Sequence, residues 1–263
     1  MRVNETRENN TKWGTLKTLV ASSSEDWVIL VDAGTVWSES FLKDVWDAIQ
    51  TEPRALGVAP SYKPLQNGWI SMLLWRIERT LKSVESLSGG PVSLHGATVG
   101  YRKHLLEKAL TGLGDNQWLN DDIVIPLMLR AMNPNGLILY PIGEVQDAGA
   151  RNDQLDFGRR KRMLQGNLQW TLTLLPGCLR MNPVAGIVAG RRVFRILWAY
   201  WFAFLCIGLI LIFRAALLPA LVIASILVAC SGSFRQLVGA AVISLMTPLH
   251  IARPNHLFEA AWK

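Results

Sequence analysis

Residues 27–50 read WVILVDAGTVWSESFLKDVWDAIQ, and this stretch decides the fold class. The five apolar residues at its start, rich in β-branched side chains, show the pattern of a buried parallel strand. Asp32 follows that strand directly, and residues 38–50 then carry apolar side chains at helical spacing behind Ser38, a plausible N-cap. A strand followed by a helix, with an acid at the strand's carboxyl end, is typical of an α/β sheet that binds its ligand at that edge.

The alternation of strands and helices continues to residue 140. Short apolar or extended runs predict further strands at 56–60, 92–101 and 137–140. Apolar periodicity predicts helices at 69–87, 103–110 and 121–132. The first of these helices is stopped by a Gly-Gly-Pro turn, and the last opens on two acids that suit the positive end of its dipole. We therefore expect an α/β domain over residues 1–156.

The net charge of +7 is distributed unevenly over the 263 residues. An apolar fraction of 50% against a charged fraction of 18% excludes a disordered chain. Three cysteines, all in or beside apolar stretches, do not have the pattern of a disulfide framework or a zinc site. Residues 157–195 contain eight basic and no acidic side chains and directly precede the most apolar part of the chain. Basic residues in that position favour a membrane surface over a nucleic acid as the partner.

Residues 193–213 read VFRILWAYWFAFLCIGLILIF, an apolar stretch with Arg195 as its one charge. A helix of about 20 such residues crosses the hydrocarbon core of a bilayer, so we expect a transmembrane helix here, with a buried core helix as the alternative. The apolar runs at 215–230 and 236–251 are shorter, and transmembrane, re-entrant, interfacial and buried core helices all stay open for them. The sequence predicts two to three transmembrane helices over residues 193–251.

Arginines before the first apolar stretch predict that its near end is cytoplasmic, by the positive-inside rule. The first 13 residues are polar and charged, and they lack the apolar segment of a signal peptide. We therefore expect a multi-pass protein of the cell (inner) membrane, with residues 1–156 in the cytoplasm. Basic interfacial helices over residues 157–192 would join that domain to the membrane region, and residues 252–263 would form a tail.

Three short motifs carry residues that could do chemistry. Asp32-Ala33-Gly34 contains one carboxylate, which can hold a hard cation against a diphosphate. The alternative is that Asp32 only caps the turn after the strand. Asn120-Asp121-Asp122 contains adjacent carboxylates that raise each other's pKa, so that one of them can act as a general base. The alternative is that these acids only supply the negative charge that is common at a helix start. The basic run over residues 159–162 offers arginines that bind phosphate bidentately, or a patch for anionic lipid headgroups.

Residues 75–102 read WRIERTLKSVESLSGGPVSLHGATVGYR and resemble the middle of the processive, membrane-bound family 2 glycosyltransferases, which include cellulose, hyaluronan and poly-N-acetylglucosamine synthases. In that family a long helix ends in a Glu-Ser pair, and Gly-Ala and an Arg precede the next helix. Glu85-Ser86, Gly96-Ala97 and Arg102 match this order. The resemblance extends over residues 12–201, because an Asp-Ala motif, an acidic pair, an arginine-bearing interface helix and membrane helices follow in the family's order.

The resemblance implies a nucleotide-diphospho-sugar transferase of GT-A-like α/β fold. Its reaction would be inverting glycosyl transfer from a nucleotide-diphosphate sugar to a sugar or lipid-linked acceptor, in polysaccharide biosynthesis. The resemblance implies Asp32 as the ligand of a divalent cation, Mg²⁺ or Mn²⁺, and Asp122 as the base, tuned by Asp121. The residues that it implies for substrate binding are Arg160 and Arg162 at the diphosphate, with His95, Gly96, Ala97, Gln165 and Gly166. A structural role stays open for His95.

The chain departs from the family pattern in three places. Gly34 replaces the second acid of the Asp-Ala-Asp motif. Arg159 and Met163 stand where the Gln-x-x-Arg-Trp motif has its Gln and its Trp. Only 11 residues precede Lys12, where the family places its first strands and the site for the nucleotide base. We therefore expect either a fragment or N-terminally shortened chain, or a chain whose missing strands come from elsewhere. A sheet without its first strands would be incomplete and would expose a strand edge.

Two other functions fit the same sequence. The first is a catalytically degenerate membrane protein that assembles with a partner polysaccharide synthase, and the three departures from the family pattern favour it. The second is a membrane-bound module that binds lipid or nucleic acid, which depends on the basic residues of 157–195 alone and requires salt-sensitive binding.

Overall fold

The computed structural model describes residues 12–63, 69–114, 118–147 and 157–212, together with isolated positions between 219 and 245. The helices are α1 (Lys12–Ser22), α2 (Phe41–Thr51), α3 (Trp69–Ser86), α4 (Lys103–Gly112), α5 (Asp121–Met132), α6 (Phe157–Thr173), α7 (Leu175–Met181), α8 (Pro183–Ile196) and α9 (Trp198–Ile212). The strands are β1 (Trp27–Val31), β2 (Thr35–Trp37), β3 (Ala55–Val58), β4 (Ser61–Lys63), β5 (Thr98–Arg102), β6 (Leu137–Leu139) and β7 (Glu144–Asp147).

The strands form two sheets. The larger sheet has the order β1-β5-β3-β6, and the smaller one has the order β2-β7-β4. β5 runs antiparallel to both β1 and β3, whereas β3 and β6 are parallel. The prediction that residues 27–31 form a buried parallel strand is therefore wrong for the described residues. β1 lies at the sheet edge against an antiparallel neighbour, and the Val31 side chain is 45% exposed.

The predicted helices are confirmed where their apolar periodicity is strong. α3 and α4 end within two residues of the predicted positions, and α5 covers the predicted 121–132. α2 starts later than expected, with Ser40 instead of Ser38 at the N-cap position. The Phe41 amide donates to the Ser38 carbonyl, and the Ser40 hydroxyl turns to the Asp44 carboxylate at 2.8 Å instead of capping the helix.

The main hydrophobic core lies around α5, whose side chains are buried along most of its length. Arg130 of α5 is 2% exposed and donates to the carbonyl oxygens of Ser88 and Gly90, which belong to the turn after α3. Gly90 has φ +99°, a conformation that side chains rarely adopt, and a Cβ there would collide with the Ile138 backbone. The turn after α3 is therefore fastened to α5, and it fixes the loop that leads to β5.

The junction of α7 and α8 is also fastened to α5. The Asn182 side chain caps α8 by accepting a hydrogen bond from the Ala185 amide at 3.2 Å. Its amide nitrogen donates to the Arg130 carbonyl at 2.8 Å. Because Asn182 is buried, these bonds hold the basic helical segment against the α/β domain.

Within the described ranges, no single helix has the length and apolar character that a bilayer crossing needs. One bent pair, Pro183–Phe194 with Trp198–Leu209, has both when the two helices are counted together, and they meet at 52°. The unbroken helix predicted over 193–213 is thus interrupted at Leu197, between α8 and α9. Most residues of the two runs at 215–230 and 236–251 lie outside the described part of the structure, so the multi-pass arrangement stays a prediction.

Candidate active site

Two acids from separate motifs meet at Gly96. Asp32 follows β1, and Asp122 lies in the first turn of α5. A Cβ placed on Gly96 would lie 3.8 Å from the Asp122 Cβ and 3.8 Å from the Asp32 Oδ2. A methyl group at this position would therefore be in ordinary van der Waals contact with both side chains, so the two acids lie on either side of the Gly96 backbone.

Backbone hydrogen bonds fix the loop that carries Gly96. The Asp32 amide donates to the Ala97 carbonyl at 2.9 Å, and the Thr35 hydroxyl donates to the same oxygen at 3.1 Å. At the other end of the loop, the Leu94 amide donates to the Asp122 carbonyl at 2.9 Å. The loop is thus tied to the turn after β1 on one side and to the start of α5 on the other.

His95 has a defined packing partner next to Gly96. Its imidazole stacks on the Tyr62 ring with centroids 3.6 Å apart and planes 8° from parallel. The Ala97 amide donates to its Nδ1 at 3.4 Å. The ring is therefore held in one orientation, which agrees with the structural role left open for His95 and also makes its face a rigid part of the site.

The two acids that open α5 have different surroundings. Asp121 forms a 3.0 Å ion pair with Lys12 of α1. The pKa of Asp122 is raised from its ordinary 3.8 to about 6, mainly by burial and secondly by the charge of Asp121, against the opposing effect of Arg192, Lys82 and Lys12. A carboxylate with that pKa is ionised at neutral pH and still basic enough to accept a proton. The sequence indicated the effect of Asp121 but not the larger effect of burial.

α6 packs against the residue that precedes the acidic pair. The Asn120 side-chain amide donates to the Met163 carbonyl at 3.1 Å and to the Asn167 Oδ1 at 2.9 Å. Gly166 lies directly against Asn120, because a Cβ on Gly166 would be 2.5 Å from the Asn120 Oδ1. The structure thus brings Gly166 to the start of α5, and it leaves Gln165 partly exposed on the same helix.

The basic run at the start of α6 is only partly described. Lys161 is exposed and Arg162 is partly buried. The side chains of Arg159 and Arg160 lie outside the described part of the structure. The distance of these arginines from Asp32 and Asp122 therefore stays a matter of prediction.

A group of buried and half-buried charges that joins α3 to α8 was not predicted. Lys82 and Glu85 of α3 are each 7% exposed. Arg191 of α8 contacts the Glu85 carboxylate at 2.5 Å, and Arg192 contacts the Glu78 carboxylate at 2.8 Å. The signal that could have found them is the spacing of Glu78, Lys82 and Glu85, which places all three on one face of a helix.

The described residues do not build a complete metal site from protein ligands. Within the ranges 12–63, 69–114, 118–147 and 157–212, no group of three or more His, Cys, Asp or Glu side chains is arranged to hold a metal ion. Asp32 offers one hard oxygen ligand, and Gly34 cannot offer the second one that the family motif would supply. The residues fit a divalent cation only if oxygen atoms of a substrate complete its coordination.

No protein-family model matches the chain, and no curated protein matches it by sequence. In structure it is similar to the mannosyltransferase PcManGT from Pyrobaculum calidifontis, which was solved in complex with GDP-Man and Mn²⁺. The TM-score is 0.64 at 16% sequence identity, over 92% of this chain and 67% of that chain. This likeness establishes the fold, and it confirms the prediction of a glycosyltransferase-type α/β architecture.

Proposed function

We propose that this chain transfers a sugar, with inversion, from a nucleotide-diphosphate sugar to a hydroxyl of a sugar or lipid-linked acceptor at the membrane. The observation that carries the proposal is the meeting of Asp32 and Asp122 at Gly96. The likeness to a mannosyltransferase solved with a nucleotide sugar supports the class of donor.

Asp122 would act as the general base. Its carboxylate takes the proton of the acceptor hydroxyl while that oxygen forms a bond to the anomeric carbon of the donor sugar. The bond from this carbon to the diphosphate oxygen breaks, and a nucleoside diphosphate leaves. Attack opposite the leaving group inverts the anomeric centre. Burial of Asp122 supports this role, because it raises the basicity of the carboxylate toward neutral pH.

Asp32, Arg160 and Arg162 would bind the leaving diphosphate. A divalent cation, when bound at Asp32, would offset negative charge on the diphosphate. The two arginines would donate to its oxygens from α6. The packing of α6 on Asn120 supports this arrangement, since it holds the helix at the start of α5.

The acceptor would bind along the loop over residues 95–97. Gly96 has no side chain between Asp32 and Asp122, and the stacked ring of the neighbouring His95 would offer a flat surface to a sugar. Gln165 and Gly166 would line the same side from α6. A sugar hydroxyl could then come within hydrogen-bonding reach of the Asp122 carboxylate.

The activity is tested on the full chain in detergent, with a panel of nucleotide-diphosphate sugars and Mn²⁺. Release of nucleoside diphosphate is measured for the wild type, for Asp122→Asn and for Asp47→Asn, which changes an exposed acid of α2. We expect turnover to fall roughly 10²- to 10⁴-fold in Asp122→Asn and to stay unchanged in Asp47→Asn. If Asp122→Asn keeps more than about a tenth of the turnover, Asp122 is not the base.

The role of Arg162 is tested by calorimetric binding of a nucleoside diphosphate with Mn²⁺. Arg162→Ala should weaken binding roughly ten- to a hundredfold, because a hydrogen bond to a charged group contributes about 1.5–3 kcal/mol. Lys161→Ala, which removes the exposed neighbouring charge, should have a small effect. Equal small losses in both variants would assign these residues to anionic lipid instead.

The alternative is a catalytically degenerate partner of a polysaccharide synthase. Gly34 favours it, because the described residues then offer a single carboxylate after β1. A wild-type chain that binds nucleotide but turns over no sugar in the assay above would support this alternative and overturn the enzymatic proposal.

A further inference from the structure

The charged and apolar faces of α3 are reversed relative to an ordinary surface helix. The face that packs on the rest of the chain carries Glu78, Lys82 and Glu85, at spacings of four and three residues. Lys82 and Glu85 are each 7% exposed, and Glu78 forms an ion pair with Arg192 of α8 at 2.8 Å. Surface helices usually turn their charged face to water and their apolar stripe to the core. These three charges of α3 are instead turned inward.

The outward face of α3 is apolar. Leu73, Ile77 and Val84 are 49%, 48% and 56% exposed. Their spacings of four and seven residues place them on one side of the helix, roughly opposite Lys82, because each residue turns an α-helix by about 100°. Leu87, directly after the helix, continues this apolar row and is 88% exposed. A row of this kind marks a contact surface for a membrane or for another protein.

The exposed charges beside the apolar row are positive. Among the described residues of α3, the charged side chains that are exposed are Arg76 and Arg79. The acids of the helix, Glu78 and Glu85, are paired with the arginines of α8. Apolar side chains flanked by arginines complement an anionic lipid surface, which takes up the apolar groups and attracts the basic ones. The charge of this face therefore favours a bilayer as its partner.

The helix next to α3 is a second indication of the same partner. Ion pairs of 2.5 and 2.8 Å join α8 to α3. α8 exposes Ile187 and Phe194, and it begins the bent helix pair that has the length and apolar character for a bilayer crossing. A bilayer that takes up this pair would lie beside α3 as well.

We propose that the apolar row of α3 is a membrane-contact surface, through which the α/β domain lies on an anionic phospholipid bilayer. The proposal rests on the membrane location that is part of the proposed function, but not on the transfer chemistry. It adds a contact outside the membrane region predicted over residues 193–251. Two contacts, one at α3 and one at the α8–α9 pair, would fix the orientation of the domain on the bilayer.

This orientation has a consequence for the acceptor, which does rest on the transfer chemistry. The Trp75 indole of α3 donates to the Tyr62 carbonyl, and the Tyr62 ring stacks on His95 beside Gly96. The helix that contacts lipid therefore also supports the acceptor side of the site. A lipid-linked acceptor would reach the site from the surface on which the domain lies, so this class of acceptor is favoured over a water-soluble sugar.

The contact is tested by photo-crosslinking of the full chain in nanodiscs of phosphatidylcholine and radiolabelled phosphatidylglycerol. p-Benzoylphenylalanine is introduced at Ile77 or Val84, at Phe204 of α9 as a reference, and at Trp46, an exposed apolar residue of α2, as the control. We expect lipid adducts at Ile77, Val84 and Phe204 and few at Trp46.

The adducts separate this proposal from the membrane location itself. Adducts at Phe204 without adducts at Ile77 and Val84 overturn the contact of α3 and leave the location intact. Absence of adducts at all three positions overturns both. Equal adducts at Ile77 and Trp46, or polypeptide adducts at Ile77 in native membranes, also overturn the contact of α3 with lipid.

The preference for anionic lipid is tested by leaving phosphatidylglycerol out, with radiolabelled phosphatidylcholine in both kinds of nanodisc. Phosphatidylglycerol should raise the adduct yield at Ile77 roughly fivefold or more, because basic side chains near the surface are attracted to anionic headgroups. Arg76→Ala combined with Arg79→Ala should remove this rise. Lys43→Ala combined with Lys108→Ala, which changes two exposed lysines of α2 and α4, should keep it. Equal yields with and without phosphatidylglycerol overturn the anionic character of the contact.

The acceptor class is tested with a panel of sugars carried either on a dialkylglycerol in vesicles or on a short, water-soluble alkyl chain. Ile77→Glu combined with Val84→Glu should raise the KM for the vesicle acceptor about tenfold, because removal of the apolar contact lifts α3 from the bilayer. The KM for the soluble acceptor and for the nucleotide sugar should stay unchanged, as should all three values in Trp46→Glu. Equal effects on both acceptors overturn the preference for a lipid-linked one. Lipid adducts at Ile77 in a chain that transfers no sugar would uphold the contact and overturn the proposed function instead.

Discussion

At the scale of single residues, burial of Asp122 has two opposite effects. It makes the carboxylate more basic, which the proposed reaction needs, and it makes the ionised carboxylate costly for the stability of the fold. The pKa of Asp122 in the folded chain is about 6, above its ordinary 3.8, because burial disfavours the charged form. The folded state therefore favours the protonated acid. Its contribution to stability is complete below about pH 4 and is lost as the pH rises through 6. Ionised Asp122 thus destabilises the fold at the pH where a general base has to work.

Asp122→Asn should therefore stabilise the protein while it removes transfer activity. We expect the free energy of unfolding at pH 7 to rise by about 2–3 kcal/mol, since one pKa unit corresponds to about 1.4 kcal/mol. At pH 4 the gain should nearly vanish. Urea unfolding in detergent at the two pH values measures both quantities, with Asp47→Asn as the exposed control. Equal stability of the wild type and Asp122→Asn at pH 7 would contradict the burial of a charged carboxylate.

Gly96 allows a second test at the residue scale. A methyl group there would make ordinary contacts at 3.8 Å with the Asp122 Cβ and the Asp32 Oδ2, so Gly96→Ala should fold with nearly wild-type stability. The methyl would occupy the space between the two acids, and displaced reacting groups lose rate steeply. We expect turnover to fall tenfold or more, as measured by nucleoside diphosphate release. Wild-type turnover in Gly96→Ala would place the reaction elsewhere.

At the scale of elements, α8 is joined to α3 by ion pairs instead of apolar contacts alone. Glu85 is 7% exposed, and its carboxylate depends on Arg191. Burial raises the pKa of Glu85, and the Arg191 guanidinium opposes that rise. A buried carboxylate that loses its cation is far more costly than the intact pair is stabilising.

Arg191→Ala should destabilise the chain because it leaves Glu85 buried and unpaired. We expect a loss of about 2–3 kcal/mol in the free energy of unfolding, below the range for a fully buried pair because the Arg191 side chain is 29% exposed. The control is Arg180→Ala, which removes an exposed arginine of α7 and should change stability by less than about 0.5 kcal/mol. Similar small effects of both changes in urea unfolding would show that the α3–α8 pairs contribute little.

Two helical glycines give a matched test of how α6 is seated. A Cβ on Gly166 would lie 2.5 Å from the Asn120 Oδ1, whereas a Cβ on Gly177 of α7 would have no atom within 4 Å. Gly177→Ala should stabilise its helix by up to about 1 kcal/mol through helix propensity. Gly166→Ala should instead lower the melting temperature and the turnover, since α6 must move away from the start of α5. If both changes raise the melting temperature, α6 does not pack tightly on Asn120.

At the scale of the whole molecule, α7, α8 and α9 expose a large apolar surface. Its large exposed side chains are Leu179, Met181, Val184, Ile187, Phe194, Trp201, Phe202, Phe204, Leu205, Ile207, Leu209, Leu211 and Ile212. Soluble proteins rarely expose an apolar surface of this extent to water, and such a surface usually contacts a membrane or another protein. The basic residues that precede it and the bent α8–α9 pair are consistent with a bilayer as that cover, which is our proposal for its location.

The full chain should therefore sediment with membranes and resist extraction with alkaline carbonate. A bilayer-embedded apolar surface is held by hydrophobic burial, which raised pH does not weaken, whereas attachment through basic residues alone is released. The measurement is immunodetection in the pellet and supernatant after carbonate treatment. Extraction by high salt or carbonate, or recovery in the soluble fraction without detergent, would contradict membrane insertion.

The sequence by itself determined the features that depend on neighbouring residues. The positions of α3, α4 and α5 follow from apolar periodicity and from glycine turns, and Asp32 and the pair Asp121-Asp122 follow from their places at element ends. Likewise, the basic run that precedes an apolar stretch can be identified from the sequence alone. These signals are local, so a pattern of about ten residues is enough to reveal them.

Only the tertiary structure decided which of these features meet. Asp32 and Asp122 are 90 positions apart, and Gly96 lies between them in the chain, so no local pattern places them together. The same holds for the antiparallel partner of β1, because apolar residues indicate burial but carry no strand direction. Burial of Asp122, and the ion pairs between the α3 acids and the α8 arginines, depend on contacts across about 100 residues, and such contacts are fixed by packing alone.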